Sequence, residues 1–297
     1  MDVCILDQSG EILVHRHMQT TPEAFLQASA PYRQGIVVAA ECLFTWYWLA
    51  DLCAEEGIPC VLGHALYMKA IHGGKAQNDT IASHKIAARR RGGMLPQASV
   101  YPAPRRASRD LLRRRMHLAH KRAELLAHVH NTTSQDNLPA IGNKLADKAN
   151  REGVAERVAD PAVQKRIDVD RALITSYDEL LRDVALPIVN TAKPHDATTL
   201  SLRQTVPGIG KILRLVLLYE IPAIERFPRV QDFVSYGRLV KCAKEAAGKR
   251  SGTSGTKSGN AHRTGAFSEA AILFLRDHPA AQKDLARWEK THDQGQA

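Results

Sequence analysis

The hydrophobic period changes once along this chain, and that change limits the folds open to it. Up to Leu62 the apolar runs are short and mixed. Residues Val3–Asp7 and Glu11–His17 alternate apolar and polar around Gln8-Ser9-Gly10, which predicts a β-hairpin. Thr21-Pro22-Glu23 opens a helix with Thr21 as cap and Pro22 at its first position. Ile36–Ala40 is a buried strand ending at Glu41, Phe44–Glu55 an aromatic-rich helix, and Gly57–Leu62 a further strand. A loop through His72-Gly73-Gly74-Lys75 leads to a helix that starts near Asn78 or Asp79 and runs to Arg91. Strands alternating with helices predict an α/β layer. Gly92-Gly93, Pro96, Pro102 and Pro104 then mark a boundary.

Beyond it the period is helical. Ala107–Asn131 carries Leu111, Leu112, Met116, Leu118, Leu125, Leu126 and Val129 between arginines. Asp160-Pro161 opens a second long helix with Ile167, Ile174, Leu181, Val184 and Ile188 at helical spacing. Two such helices joined by a loop predict an antiparallel hairpin or coiled coil. In the last third, Pro207-Gly208-Ile209-Gly210-Lys211 forms a turn between apolar helices, followed by helices over Ile212–Ile221 and Phe227–Val240. A flexible basic loop is expected over Gly248–Gly259, then amphipathic helices over Ala266–Asp277 and Ala280–Glu289. The expected division is 1–100, 101–195 and 196–297.

With 297 residues, 44% hydrophobic, the chain has enough apolar surface to bury real cores, which excludes disorder throughout. No apolar run is long enough to span a membrane, and the N-terminus has neither the basic region nor the cleavage site of a signal peptide. Five scattered cysteines in apolar contexts suit a cytoplasmic protein with buried thiols. The net charge of +10 is uneven. Lys85–Arg122 holds twelve basic residues and one acid, Lys241–Arg263 six and one, and the remainder is net negative. Such clustering predicts a polyanion-binding surface, with Lys85, Arg89, Arg90, Arg91, Arg113, Arg114, Arg115, Lys249 and Arg250 as candidates. The competing reading is a solvated helix face.

Glu41 at a strand end and Asp79 at a helix start are the pair of carboxylates a Mg²⁺ phosphoryl-transfer site would draw on, since hard cations take anionic oxygens. Asp79 equally suits a helix cap. Gly208 and Gly210, with Lys211 after them, resemble a helix-hairpin-helix clamp on a nucleic-acid backbone, against the alternative of a plain helix–helix turn. His117, His120, His128 and His130 share one helical stretch without a complementary ligand set, so an exposed face is expected rather than a metal site.

Four segments occur in an order that resembles insertion-sequence transposases of the DEDD type, insertion sequence 110 family. They are Ala40-Glu41-Cys42, Gly74–Asp79 leading into Ser83-His84-Lys85, Pro207-Gly208-Ile209-Gly210, and Gly259-Asn260-Ala261-His262. The resemblance implies an α/β plus all-α chain: a RuvC/RNase H-like N-terminal domain lacking its first strand, a helical coiled-coil middle, and a helical C-terminal transposase domain. It also implies strand exchange on DNA, Mg²⁺, a guide RNA, a homo-oligomer formed through the coiled coil, and a cytoplasmic, nucleoid-associated location.

Residue by residue the pattern is incomplete. The family glutamate matches Glu41 and the first of its paired aspartates Asp79, while the second falls on Ala82. Its first aspartate would lie upstream of Val3–Asp7, and Asp2 is not its equivalent. The serine nucleophile is expected near Ala246-Ala247, with Ser251 and Ser254 as poor substitutes. The expectation is a copy shortened at both ends and catalytically impaired, because two missing carboxylates and a missing hydroxyl remove metal ligands and nucleophile. The alternatives are a non-catalytic nucleic-acid-binding remnant and a purely structural helical scaffold.

Overall fold

The computed structural model describes residues 1–43, 45–71, 78–139, 141, 145–192, 206–221, 223–237, 239–240, 242–246, 248–254 and 260–291. It is mixed α/β with small sheets and divides into two compact units, Met1–Pro104 and Arg105–Ala297.

In the first unit the expected hairpin is β1 (Asp2–Leu6) antiparallel to β2 (Ile12–His17). Helix α1 (Pro22–Ser29) starts as read, with Thr21 Oγ1 accepting from the Ala24 amide. Strand β3 (Val38–Glu41) runs parallel to β4 (Cys60–Gly63), with α2 (Trp46–Glu55) between them in sequence. The alternation missed two elements, α3 (Ala65–Ile71) and the two-residue strand β5 (Gln97–Ala98), which pairs antiparallel with β4. Too short to show a period, β5 gives no sequence signal. Helix α4 (Asp79–Arg91) packs on β1, β2 and β3. The strands form two separate sheets, β1-β2 and β3-β4-β5. Phe25, Val38, Cys53 and Ile58 fill one core, and Trp46, Ala50, Leu62 and Tyr101 another.

The second unit is built on α5 (Ala103–Gln135) and α6 (Pro161–Ala192). Helix α5 begins earlier than expected, because Pro104 falls in the first turn, where its missing amide hydrogen costs nothing. Polar pairs fix an antiparallel hairpin: Arg122 with Asp178, His128 with Asp170, and Arg166 with Thr132, so partner numbers fall as those of α5 rise. The polar stretch between the helices packs Leu145, Val154 and Val158 against Val129 and Ile167, and Arg151 pairs with Asp178.

Helix α7 (Lys211–Glu220) is almost wholly buried after its first turn. It shares a core with Leu112 of α5, Ile188 of α6 and Ala266 and Ala270 of α9 (Ala261–Asp277). The helix expected over Phe227–Val240 shrinks to α8 (Val230–Tyr236). Pro228 disfavours helix at Phe227, and Gly237 ends it. The expected flexible loop is instead partly a hairpin, β6 (Cys242–Ala246) with β7 (Lys249–Ser254), turning at Gly248 with φ +73°. Its Ser, Gly and Thr content hid a strand whose register is set by that turn. Helix α10 (Pro279–Thr291) completes the described fold. No described helix is long and apolar enough to cross a membrane.

Candidate functional site

In the first unit a cleft of about 330 Å³ opens among β1, β3, α2 and α4. Glu41 and Asp79 both line it, so the two carboxylates singled out from sequence do share one site. The parallel ladder places Glu41 as the last residue of β3, where the Leu43 amide donates to its carbonyl and turns the chain. Asp79 is exposed on the first turn of α4, and it is not the cap. Asn78 takes that role, its Oδ1 accepting from the Ile81 amide at 2.7 Å. A carboxylate there faces the positive helix end without being needed to close it.

Asp2 lines the same cleft. Its nearly buried carboxylate accepts from Thr80 Oγ1 at 2.8 Å and pairs with His17 Nδ1 at 3.0 Å. Hydrogen bonds from His17 and then Thr80 hold its carboxyl below the usual carboxylate range. Its oxygens therefore tie β1 to β2 and to the start of α4. Sequence reasoning set Asp2 aside; the packing of α4 on β1 and β3 forms the cleft that it lines together with Glu41. Ala82 and Ser83 lie one turn into α4 on the same wall. Ser83 Oγ donates to the Thr80 carbonyl at 2.8 Å and lies 3.3 Å from His15 Nε2. Ala82 presents a methyl there and offers no oxygen. Among the described residues no three carboxylates, imidazoles or thiols converge into a metal-holding group. Glu41 and Asp79 alone are too few oxygens for a pair of Mg²⁺ ions.

The basic candidates divide by what they touch. Arg91 donates to the Gln8 and Ser9 carbonyls, and its guanidinium packs on Gly10, so it braces the β1–β2 turn. Arg113 donates from Nε to Glu220 Oε1 at 2.7 Å, and Arg109 from Nη2 to Oε2 at 3.1 Å. Both cations are therefore committed to a buried carboxylate. Lys85, Arg89 and Arg90 are half-buried along α4, and Arg90 Nε is buried with no hydrogen-bond partner among the described residues. Arg114 is exposed. Arg115 is half-buried, and burial lowers its pKa against the pull of Glu269. Lys211 and Lys249 are exposed. The side chains of Ala246, Arg250, Ser251 and Ser254 lie outside the described residues, though their backbones form the β6–β7 hairpin.

The Pro207-Gly208-Ile209-Gly210 turn is asymmetric. Gly208 has φ +81°, and a Cβ there would sit 2.6 Å from the Phe274 amide nitrogen and 2.8 Å from the Ala270 carbonyl oxygen. Its bare face is thus needed for close approach to α9. Gly210, the N-cap of α7, has open space around it, and exposed Lys211 follows. Pro207 and Gly210 at its two ends are exposed, while Gly208 and Ile209 between them are half-buried. The helix expected before it falls among residues 201–205, outside the described residues.

Glu220 was not singled out from sequence, yet among the described residues it is the carboxylate whose pKa is lowered furthest. Burial raises its pKa, but Arg113 and Arg109 outweigh that and bring it to about 2. Asn260 Nδ2 also donates to it, while Asn260 Oδ1 caps α9 by accepting from the His262 and Arg263 amides. Burial, followed by the charge of Arg113, lowers the pKa of His262 beside this cluster. The signal was available: a lone Glu ending an apolar run must find cations when buried.

No curated protein matches this chain. A family model does match, over residues 201–286, which span the Pro-Gly-Ile-Gly turn, Glu220 and Asn260; it is described as Transposase IS116/IS110/IS902 family, and it supports a transposase function for a mobile element.

Proposed function

We propose that the chain is a DNA-binding transposase of an insertion sequence whose own strand-exchange chemistry is impaired. The observation that carries the reading is the family match over residues 201–286, within which the exposed Gly210-Lys211 half-turn supplies backbone amides and a cation for a phosphate. The second unit contacts DNA through Lys211, Arg114 and Lys249, with Arg115 next to Arg114 in sequence. The first unit is RuvC/RNase H-like in descent, and α5–α6 is a coiled coil through which copies associate. A guide RNA and nucleoid association belong to the same proposal. Among the described residues, Glu41 and Asp79 are the carboxylates that would hold Mg²⁺, and they leave its oxygen shell incomplete.

The impairment follows from residue chemistry. Ala82 offers no oxygen and Ala246 no hydroxyl, so neither metal set nor nucleophile is complete at those positions. The test is duplex binding over a salt series together with a strand-exchange assay in Mg²⁺. About four phosphate contacts give a log–log salt slope near −3.6, and no exchange product is expected. Exchange by the chain as it stands overturns the impairment, and salt-independent or absent binding overturns the DNA reading in favour of a structural scaffold.

A further inference from the structure

We infer that Cys53 and Cys60 form a redox-responsive thiol pair in the first unit, a site that a hydroperoxide closes to a disulfide and a dithiol reductant reopens. The turn joining α2 to β4 brings the two together. Cys53 lies in the last turn of α2, and Cys60 opens β4. Three backbone bonds close the reversal between them: the Glu56 amide donates to the Leu52 carbonyl, the Gly57 amide to Ala54, and the Ile58 amide to Cys53 at 2.7 Å. Gly57 makes the reversal at φ +65°, a conformation that glycine takes without strain. Both side chains enter the core of Phe25, Val38 and Ile58. There Cys53 is wholly buried, while Cys60 is half-buried at the edge.

The two sulfurs are within hydrogen-bonding reach, and the contact is polarised. The Cys53 thiol donates to Cys60 and holds the Cys60 thiol below its ordinary range, while the same contact, and then burial, push the Cys53 thiol up. The roles divide accordingly. Cys60, partly open to solvent, attacks as the thiolate; Cys53, closed off, resolves. The Cys60 sulfur takes one oxygen of the hydroperoxide, the O–O bond breaks, and the leaving oxygen picks up a proton to depart as water or an alcohol. The Cys53 sulfur gives up its proton and attacks the resulting sulfenic sulfur, and the hydroxyl leaves with that proton as water. The two thiols lose two electrons, and the O–O bond accepts them. Val38 pairs with Cys60 and Glu41 with Gly63, so the thiols sit at the opposite end of β3–β4 from Glu41, roughly 10 Å along the strands. The disulfide therefore ties the end of α2 to the sheet without entering the cleft, which α2 lines through Trp46, Trp48 and Leu49 of its first turn. The inference does not rest on the transposase reading, and its readout involves no DNA.

The test exposes the full chain, folded and reduced, to graded hydrogen peroxide. The remaining thiols are then alkylated in denaturant. A glutamate-specific protease cuts at Glu55 and Glu56, between the two cysteines, and the fragments are mapped by mass spectrometry. Cys53 and Cys60 should leave the alkylatable pool together and appear as one linked pair of fragments. They should do so at least tenfold faster than Cys4 is oxidised, since burial pushes the Cys4 thiol up. Dithiothreitol should restore both. In Cys53→Ser, dimedone should trap a sulfenic acid on Cys60; in Cys60→Ser, Cys53 should stay unmodified. The map of the unaltered chain decides the matter even if neither variant folds. Linkage of either cysteine to Cys42, linkage between chains, or Cys60 oxidised with Cys53 still a free thiol overturns the pair. So does a linked product that forms in urea and not in the folded chain.

Discussion

Glu220 and Glu41 both end a regular element, yet the two units treat them in opposite ways. Glu220 closes α7, where the helix dipole already disfavours a negative charge, and it is buried as well. Two guanidinium groups and a carboxamide enclose it. Glu41 closes β3 beside an open cleft, with Asp79 on the same rim and no described cation at either. The first arrangement spends charge on holding three helices together; the second leaves charge facing a space. A carboxylate's partners, rather than its place at the end of an element, separate a structural role from one directed at a ligand.

The sharpest way to break this contrast is Glu220→Ala. It strands Arg109 and Arg113 against a buried void and should cost about 3–5 kcal/mol, read as a fall in Tm of roughly 10 °C. The pH dependence has a fixed sign. Glu220's folded pKa of about 2 lies below its ordinary 4.5, so its contribution is full above 4.5 and is lost as pH falls from there toward 2. His262, also depressed, adds loss in the same direction once pH drops below its ordinary 6.5. Urea unfolding at pH 7, 4.5 and 3 should show stability falling at each step, and Glu220→Ala should flatten the last one. An unchanged last step would mean that the cluster contributes nothing to the pH dependence.

A smaller effect separates the two glycines of the turn. Gly208→Ala drives a methyl into the α9 backbone at a positive φ, costing about 2–4 kcal/mol. Gly210→Ala meets open space and weakens only the cap, by no more than about 1 kcal/mol. DNA affinity should respond in the reverse order, Gly210→Ala reducing it while any folded Gly208→Ala protein retains it. If both lose affinity alike, the turn contacts DNA as a whole and the asymmetry is wrong.

How far the fold was legible follows the reach of the interactions involved. Thr21-Pro22, Asp160-Pro161 and the hairpin around Gln8-Ser9-Gly10 are local signals, and the elements they open appear where expected. The β6–β7 hairpin was hidden because Lys249–Ser254 has the composition of a linker and owes its strand to a partner. At the site, Glu41 and Asp79 were readable from strand end and helix start. Asp2 was not, since the cleft it lines is formed by the tertiary packing of α4 on β1 and β3. Arg113 shows the converse: a member of the densest basic run, it faces a carboxylate more than a hundred residues away, which no local pattern contains.

The finest test sits within two adjacent residues of the first unit. Asn78 caps α4 through its side chain, and the Ala82 amide donates to its carbonyl, so Asn78→Ala should cost about 1 kcal/mol. Asp79, exposed one position later, has no hydrogen bond or ion pair among the described residues and lies in the field of the helix end, so Asp79→Asn should cost about 0.3–1 kcal/mol, at the lower end in high salt. Thermal melts of both variants in low and high salt would order them. A loss at Asp79 equal to that at Asn78 and insensitive to salt would make Asp79 part of the helix's own closure. A small, screened loss leaves its charge facing the cleft it lines, where Glu41 also stands. Of the two neighbours, then, the asparagine builds the helix start, and the aspartate contributes what that start presents.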